Sequence, residues 1–250
     1  MSAVAPTSSS AESPISPKAG RRDGLFPRAG YLFALFFMAA LVAFWPGYLS
    51  KLPGGGFYRH LHAVVMTLWF GLLIAQPLLI RSWRRPLHRL LGKSAFVLAP
   101  LAVVSMILGV HARMLELKNA AQAYYAILPL AIAAMFTIAV TLALLYRRQS
   151  ALHARYMICT GVALIDPVGA RLLGYYFPPL PGWAYQGTTF TLMDLLLLWL
   201  IWRERRAPRG RAAFPVMLAV AIPLQVSVFV MPYVPAWQAA MQWFRALPLT

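Results

Sequence analysis

The sequence predicts an all-α membrane protein, a bundle of seven transmembrane helices with a cytoplasmic N-terminus and an external C-terminus. Hydrophobic residues make up 60% of the chain, charged residues only 12%, and the mean hydropathy is +0.65. A soluble domain carries about twice this charged fraction. The apolar residues fall in blocks of about 20, long enough for a helix to cross the hydrocarbon core, and short basic turns separate the blocks.

The N-terminal segment, residues 1–29, is rich in Ser, Pro and Ala and has no apolar period, so we expect a disordered cytoplasmic tail. Arg21 and Arg22 precede a long apolar run that has no small-residue cleavage site. We interpret that run as an uncleaved first span.

The transmembrane domain is expected to cover residues 30–235. The predicted spans are 31–49, 60–80, 94–113, 124–146, 155–176, 186–203 and 213–232. Pro77 is expected to kink the end of the second span, and Pro86 suits the first turn of a helix that begins before the third. In residues 236–250, Trp and Phe alternate with polar residues, which indicates a short interfacial helix.

The basic residues set the predicted orientation. Most Lys and Arg residues lie in the tail and in the segments 81–93, 147–155 and 203–211, which the positive-inside rule places in the cytoplasm. The other side carries Lys51, Arg59, Arg113, Lys118, Arg171 and Arg245. The net charge of +17 is therefore interpreted as a determinant of orientation in the lipid bilayer, and no nucleic-acid partner is expected.

Histidines provide the first candidate sites. His60, His62 and His111 are predicted at the outer surface, and His88 and His153 at the inner one. A protein with two b-type haems would pair His62 with His111 and His88 with His153. However, His88 and His111 are about 34 Å apart along a helix, which exceeds the hydrocarbon core of about 30 Å. Interfacial histidines that bond to loops or headgroups are the alternative.

A copper ion is a second possibility at the outer surface. His60, His62 and His111 are the candidate ligands, and Met114 shares a helix face with His111. His60 and His62 point about 200° apart on a regular helix, so both serve one ion only if the helix begins late. A packed, partly polar helix face explains the same pattern.

Two carboxylates are predicted near mid-membrane, Asp166 and Asp194. An unpaired charge at that depth costs about 2.5–3.5 kcal/mol on insertion scales, so such residues face a bundle interior and have partners. The expected partners are Arg171, Gln225 and the outer histidines. The functional interpretation is a proton- or ligand-binding cavity among the last three spans, and the alternative is a structural buried network.

One motif lies in the basic turn after the second span. Gln76, then Leu87-His88-Arg89-Leu90-Leu91-Gly92, and later His153-Ala154-Arg155, resemble a broad group of uncharacterised bacterial multi-pass inner-membrane proteins that share a Leu-His-Arg-x-x-Gly motif. The resemblance implies an inner-membrane location but no activity. It suggests an inner polar cluster of His88, Arg89, His153 and Arg155, with a structural lock between turns as the alternative.

The chain carries no G-x-S-x-G, G-x-x-x-x-G-K-[ST] or H-E-x-x-H motif, and we assign no reaction. Three hypotheses remain. The first is a membrane protein that binds a small ligand or redox cofactor in a polar site within the bundle. The others are a proton-coupled transporter that uses the intramembrane aspartates, and a non-catalytic assembly partner of another membrane subunit.

Overall fold

The computed structural model describes residues 25–117, 121–177 and 181–250. For residues 121–125 it describes the backbone only. All regular elements in these ranges are helical. Six helical segments within them are long and apolar enough to cross a membrane. This architecture agrees with a helical membrane bundle. The predicted disordered tail lies, up to residue 24, outside the described residues.

The α-helices are numbered in chain order. They are α1 Ala29–Phe44, α2 Phe57–Arg81, α3 Arg85–Gly92, α4 Ala95–Glu116, α5 Ala121–Leu145, α6 Ser150–Val162, α7 Ile165–Tyr176, α8 Gly182–Glu204, α9 Ala213–Val230 and α10 Pro235–Ala246. Two short 3₁₀ helices, Leu49–Gly54 and Met231–Tyr233, follow α1 and α9.

The first helix is shorter than the predicted span 31–49, since α1 ends at Phe44. Pro46 has no N–H to offer the Val42 carbonyl, and that carbonyl accepts instead from the Trp45 N–H at 3.2 Å, which tightens the last turn. Gly47 follows, and a Cβ there would collide with the Tyr175 hydroxyl. The chain therefore leaves the helix where α7 packs against it.

The predicted fifth span, 155–176, is not one continuous helix. It is divided into α6 and α7 by a break at Ala163–Leu164. Pro167 explains the break, because it lacks an N–H for the carbonyl of Ala163 and its ring crowds that carbonyl. Asp166 consequently lies in the first turn of α7, inside the bundle.

Two helices begin close to positions named from the sequence. Pro86 lies in the first turn of α3, and α10 forms where the interfacial helix was predicted. Pro77 lies inside α2, which continues as a helix to Arg81.

The core surrounds α5, which packs against α4, α6 and α9. Small residues of α5, including Ala139 and Ala143, are fully buried, which lets neighbouring helices approach closely. Trp69 of α2 is also fully buried and packs edge-on against Phe136 at 5.0 Å between ring centroids. Large apolar side chains such as Leu35 and Leu195 point outward, as expected for a surface that contacts lipid.

Candidate functional site

A buried carboxyl marks the interface of α7 and α8. Asp166 is 1% exposed and Thr189 is 0% exposed. The Thr189 hydroxyl donates to Asp166 Oδ1. Gly169 allows this contact, because a Cβ at position 169 would lie 2.9 Å from Thr189 Cγ2. The sequence therefore brings the two helices together where the carboxyl needs a donor.

The second carboxylate oxygen is different. Asp166 Oδ2 is buried and has no hydrogen-bond partner among the described residues. The carboxyl lines a cavity of about 20 Å³, which has room for one water molecule. Asp166 and Gln225 are the ionisable or amide groups of the lining. The lining residues come from α5, α7, α8, α9 and the break before α7, and they are Leu128, Ala131, Ile132, Met135, Ala163, Asp166, Phe190, Met193, Ala221, Leu224, Gln225 and Val228.

The proton on the Thr189 hydroxyl has two acceptors within reach. Besides Asp166, the Gln186 carbonyl lies 3.1 Å from Thr189 Oγ1. A hydroxyl donates only one hydrogen bond at a time. When it donates to Gln186, the contact with Asp166 is a hydrogen bond only if the carboxyl carries the proton. The geometry thus accommodates both protonation states of Asp166.

A second carboxylate lies near the same cavity. Gln225, one of the partners expected for the two aspartates, lies on α9 and donates through Nε2 to Asp194 Oδ1 on α8 at 2.8 Å. Asp194 is half-buried, whereas Asp166 is fully buried. Because Gln225 also lines the cavity, its amide links the surroundings of the two carboxyl groups.

Arg171 does not form an ion pair with Asp166. The ion pairs in the described ranges are Arg59–Glu116, Arg113–Glu116 and Arg155–Glu204. Arg171 Nη1 donates to the Pro167 carbonyl at 2.8 Å, and its guanidinium lies 4.3 Å from the ring centroid of Phe44. It remains within electrostatic range of both Asp166 and His62. Asp166 therefore has a cation nearby but none in contact.

The outer histidines have separate partners. His60 Nδ1 lies 2.7 Å from the Tyr48 hydroxyl, and His62 Nδ1 lies 3.0 Å from Ser105 Oγ. Burial raises the pKa of Tyr48, so its hydroxyl stays protonated at neutral pH and can donate to His60. His111 is fully buried, and its Nδ1 lies 2.6 Å from Thr250 Oγ1.

This arrangement bears on the metal and haem hypotheses. In the described part of the chain, no group of three His, Cys, Asp or Glu side chains is placed to hold a metal ion, and this includes His60, His62 and His111. His62 lies at the level of Ser105, about 9 Å along α4 from His111. The structure therefore places the two histidines of the expected outer haem pair at different depths.

The motif residues of the basic turn form a small network between α2 and α3. The Gln76 side chain satisfies its neighbours when its oxygen accepts from the Gly92 N–H at 3.0 Å and its nitrogen donates to the His88 carbonyl at 3.1 Å. His153 donates its Nδ1–H to the Ala143 carbonyl at 2.8 Å and is within electrostatic range of His88. Arg89 is exposed. The Gln76 bonds therefore tie α2 to α3, and the His153 bond ties α6 to α5.

Arg155, the fourth member of the expected inner cluster, has a different partner. It is 1% exposed, its Nη2 donates to Glu204 at the end of α8, and its Nη1 donates to the Ala151 carbonyl at 2.7 Å. Its guanidinium lies 5.5 Å from the ring centroid of Phe26. Sequence reasoning missed Glu204. The available signal was that Glu204 is one of only six acidic residues and ends the sixth predicted span on the side of Arg155.

No family model, curated protein or solved structure shows a significant match to the chain. The resemblance through the Leu-His-Arg-x-x-Gly motif stays a prediction from the sequence.

Proposed function

We propose that the chain is a polytopic bacterial inner-membrane protein that acts as a proton-coupled transporter, with Asp166 as the carboxyl that binds and releases the proton. The observation that carries the proposal is that Asp166 lines a half-open cavity and that its Oδ2 has no hydrogen-bond partner among the described residues. An ionised carboxylate in that position is costly, and protonation removes the charge. Carboxyls buried in membrane bundles characteristically serve proton relays.

The broken helix supports the same function. Transporters place coupling-ion sites where a membrane helix is discontinuous, because the interruption frees backbone groups near mid-membrane. Here the break between α6 and α7 immediately precedes Asp166. Gln225 on α9 extends the polar surroundings towards Asp194, which offers a second carboxyl on the route.

The size of the cavity favours a proton over a bulky cofactor at this site. Pockets for small organic ligands measure about 300–1,000 Å³. The cavity beside Asp166 has about 20 Å³ and suits a water molecule that relays a proton. We therefore place proton coupling ahead of haem or ligand binding in the bundle.

Proton binding can be measured without knowing the transported solute. Proteoliposomes adsorbed on a solid-supported membrane are given a pH jump, and the transient charge displacement is recorded. We expect a displacement from the wild type and none from Asp166→Asn, while Asp166→Glu, which keeps a carboxyl, restores part of it. Glu116→Gln removes an exposed carboxylate and serves as the matched control. An unchanged displacement in folded Asp166→Asn would refute the proposal.

The proposed topology has seven spans, with the N-terminus cytoplasmic and the C-terminus outside. The span in question is α1, because its 16 residues measure only about 24 Å, which is less than the hydrocarbon core of about 30 Å. Gly30 at its start meets Leu78 near the end of α2, and Tyr48 beyond its end bonds to His60 near the start of α2. These contacts are separated by about 27 Å along α2. The segment thus matches nearly the full depth of a membrane-spanning helix.

Cysteine accessibility tests this topology. In a Cys159→Ala background, Ser16→Cys lies before α1 and Gly54→Cys lies between α1 and α2. In intact spheroplasts, a membrane-impermeant maleimide should label Gly54→Cys at once and Ser16→Cys only after permeabilisation. Gln149→Cys, predicted on the cytoplasmic side between α5 and α6, is the control and should behave as Ser16→Cys does. Equal labelling of positions 16 and 54 in intact cells would remove α1 from the spans.

A further inference from the structure

Arg171 is placed unusually for an arginine in a membrane helix. Such side chains normally extend towards the nearest interface, where the charge is hydrated. Arg171 turns the other way, because its Nη1 donates to the carbonyl of Pro167, one turn earlier in α7. In the proposed topology that turn is the deeper one, so the guanidinium is directed towards the level of Asp166 rather than outwards.

The surroundings hold the guanidinium but do not neutralise it. Phe44, the last residue of α1, covers one face at 4.3 Å. The described residues offer no carboxylate within ion-pair distance of Arg171. One N–H is used by the Pro167 carbonyl, whereas a guanidinium has five donors in a planar fork. The residue as a whole lies at the surface of the bundle.

We propose that Arg171 binds the oxyanion, a carboxylate or phosphate group, of a small acidic solute that the protein transports. This inference rests on the proposed proton-coupled function. A guanidinium held by an aromatic face presents its edge to two oxygens of one planar or tetrahedral oxyanion, which is the arrangement that distinguishes arginine from lysine.

The position of Asp166 gives the anion site a physical role. Asp166 lies five residues before Arg171, about 7.5 Å deeper along the helix. A monovalent anion at Arg171 and a proton at Asp166 together add no net charge to the bundle. Their joint movement therefore avoids the cost of carrying an uncompensated charge through the membrane.

The same oxyanion chemistry has two sources, a dissolved acid and a phospholipid headgroup. The test uses proteoliposomes of pure phosphatidylcholine at constant pH and measures the binding of radiolabelled succinate or phosphate, with sodium chloride as the competing reference salt. We expect saturable binding of succinate or phosphate that chloride does not displace. Arg171→Gln should lower the apparent affinity for succinate or phosphate about 10- to 100-fold, as expected for loss of a charge-assisted pair. The affinity of Arg171→Lys should lie between those of the wild type and Arg171→Gln.

The lipid source is distinguished by adding phosphatidylglycerol to the vesicles and by measuring phosphatidylglycerol retained on the purified protein by native mass spectrometry. Solute binding that persists with phosphatidylglycerol identifies a dissolved acid. Retention of phosphatidylglycerol by the wild type but not by Arg171→Gln, without solute binding, keeps the oxyanion site and overturns the solute as its occupant.

The pH-jump response separates this inference from the proposed function. Arg171→Gln should keep the displacement that depends on Asp166. Folded Arg171→Gln that binds succinate, phosphate and phosphatidylglycerol as the wild type does would overturn the oxyanion site alone. Wild type that binds none of the three would also overturn it, with the proton site still standing.

Discussion

Thr189 donates its hydroxyl proton to Asp166 across the interface of α7 and α8, and it does so next to a glycine that leaves room for its methyl group. The donor fixes Oδ1, so the carboxyl keeps a defined orientation in which Oδ2 has no partner in the part of the chain that the structure describes. The packing of the two helices and the orientation of the buried carboxyl are therefore connected, and each can be altered separately.

Gly169→Ala tests the packing. The added Cβ would lie 2.9 Å from Thr189 Cγ2, so the helices must separate, and we expect a loss of about 1–3 kcal/mol in stability. Gly174→Ala, in the same helix, adds a Cβ with no neighbour within 4 Å and should leave stability unchanged or slightly raised. Thermal unfolding in detergent, followed by tryptophan fluorescence, compares the two. Equal unfolding temperatures would contradict the close approach.

Thr189→Val tests the hydrogen bond. Valine keeps the shape of the side chain but removes the donor, so a protonated Asp166 should show a carboxyl stretching band at higher frequency in infrared difference spectra. Thr189→Ser retains the hydroxyl and should keep the wild-type band. Loss of the bond from a buried acceptor is expected to cost about 1–3 kcal/mol. A band that does not move in Thr189→Val would show that Thr189 is not the partner of the carboxyl.

The sequence predicted the helical membrane bundle because apolar blocks and basic turns are properties of composition along the chain. It also named Gln225 among the partners expected for the two aspartates, and the structure gives Gln225 to Asp194. The break between α6 and α7 was missed, although Pro167 was visible, because proline within a membrane span is often accommodated by a continuous helix, as Pro77 is in α2.

Side-chain partners that depend on rotation about a helix axis were less predictable. Arg155 was grouped with His88 and His153 by its position in a turn, but it is directed towards Glu204. Arg171 was expected as a partner of the buried aspartates, and the structure instead gives it the Pro167 carbonyl and the Phe44 ring. Depth follows from residue number, whereas the face on which a residue lies also depends on which helices are neighbours.

Gln225→Leu tests the link between the two carboxyl groups. Leucine is similar in size but removes the donor to Asp194, so the half-buried carboxylate loses its bond. We expect a loss of about 1–3 kcal/mol and a smaller pH-jump displacement. Gln225→Glu replaces the amide by a second acid. We expect this variant to be less stable at high pH, where both carboxylates are ionised and repel each other, than at low pH. A displacement equal to that of the wild type in Gln225→Leu would exclude Gln225 from the proton route.

Removing one member of the Arg155–Glu204 pair should lower the stability of the protein far more than breaking an exposed ion pair does. Arg155 is 1% exposed, so Glu204→Gln leaves a buried cation without its counter-charge, at a cost of about 3–5 kcal/mol. Arg155→Met combined with Glu204→Leu removes both charges, and we expect it to recover most of that loss. Glu116→Gln breaks the exposed contacts with Arg59 and Arg113 and should cost less than about 1 kcal/mol. Thermal unfolding of the four proteins, wild type included, measures the differences. If the double variant is no more stable than Glu204→Gln, the pair does more than neutralise a buried charge, because it then holds the end of α8 to α6 through its geometry.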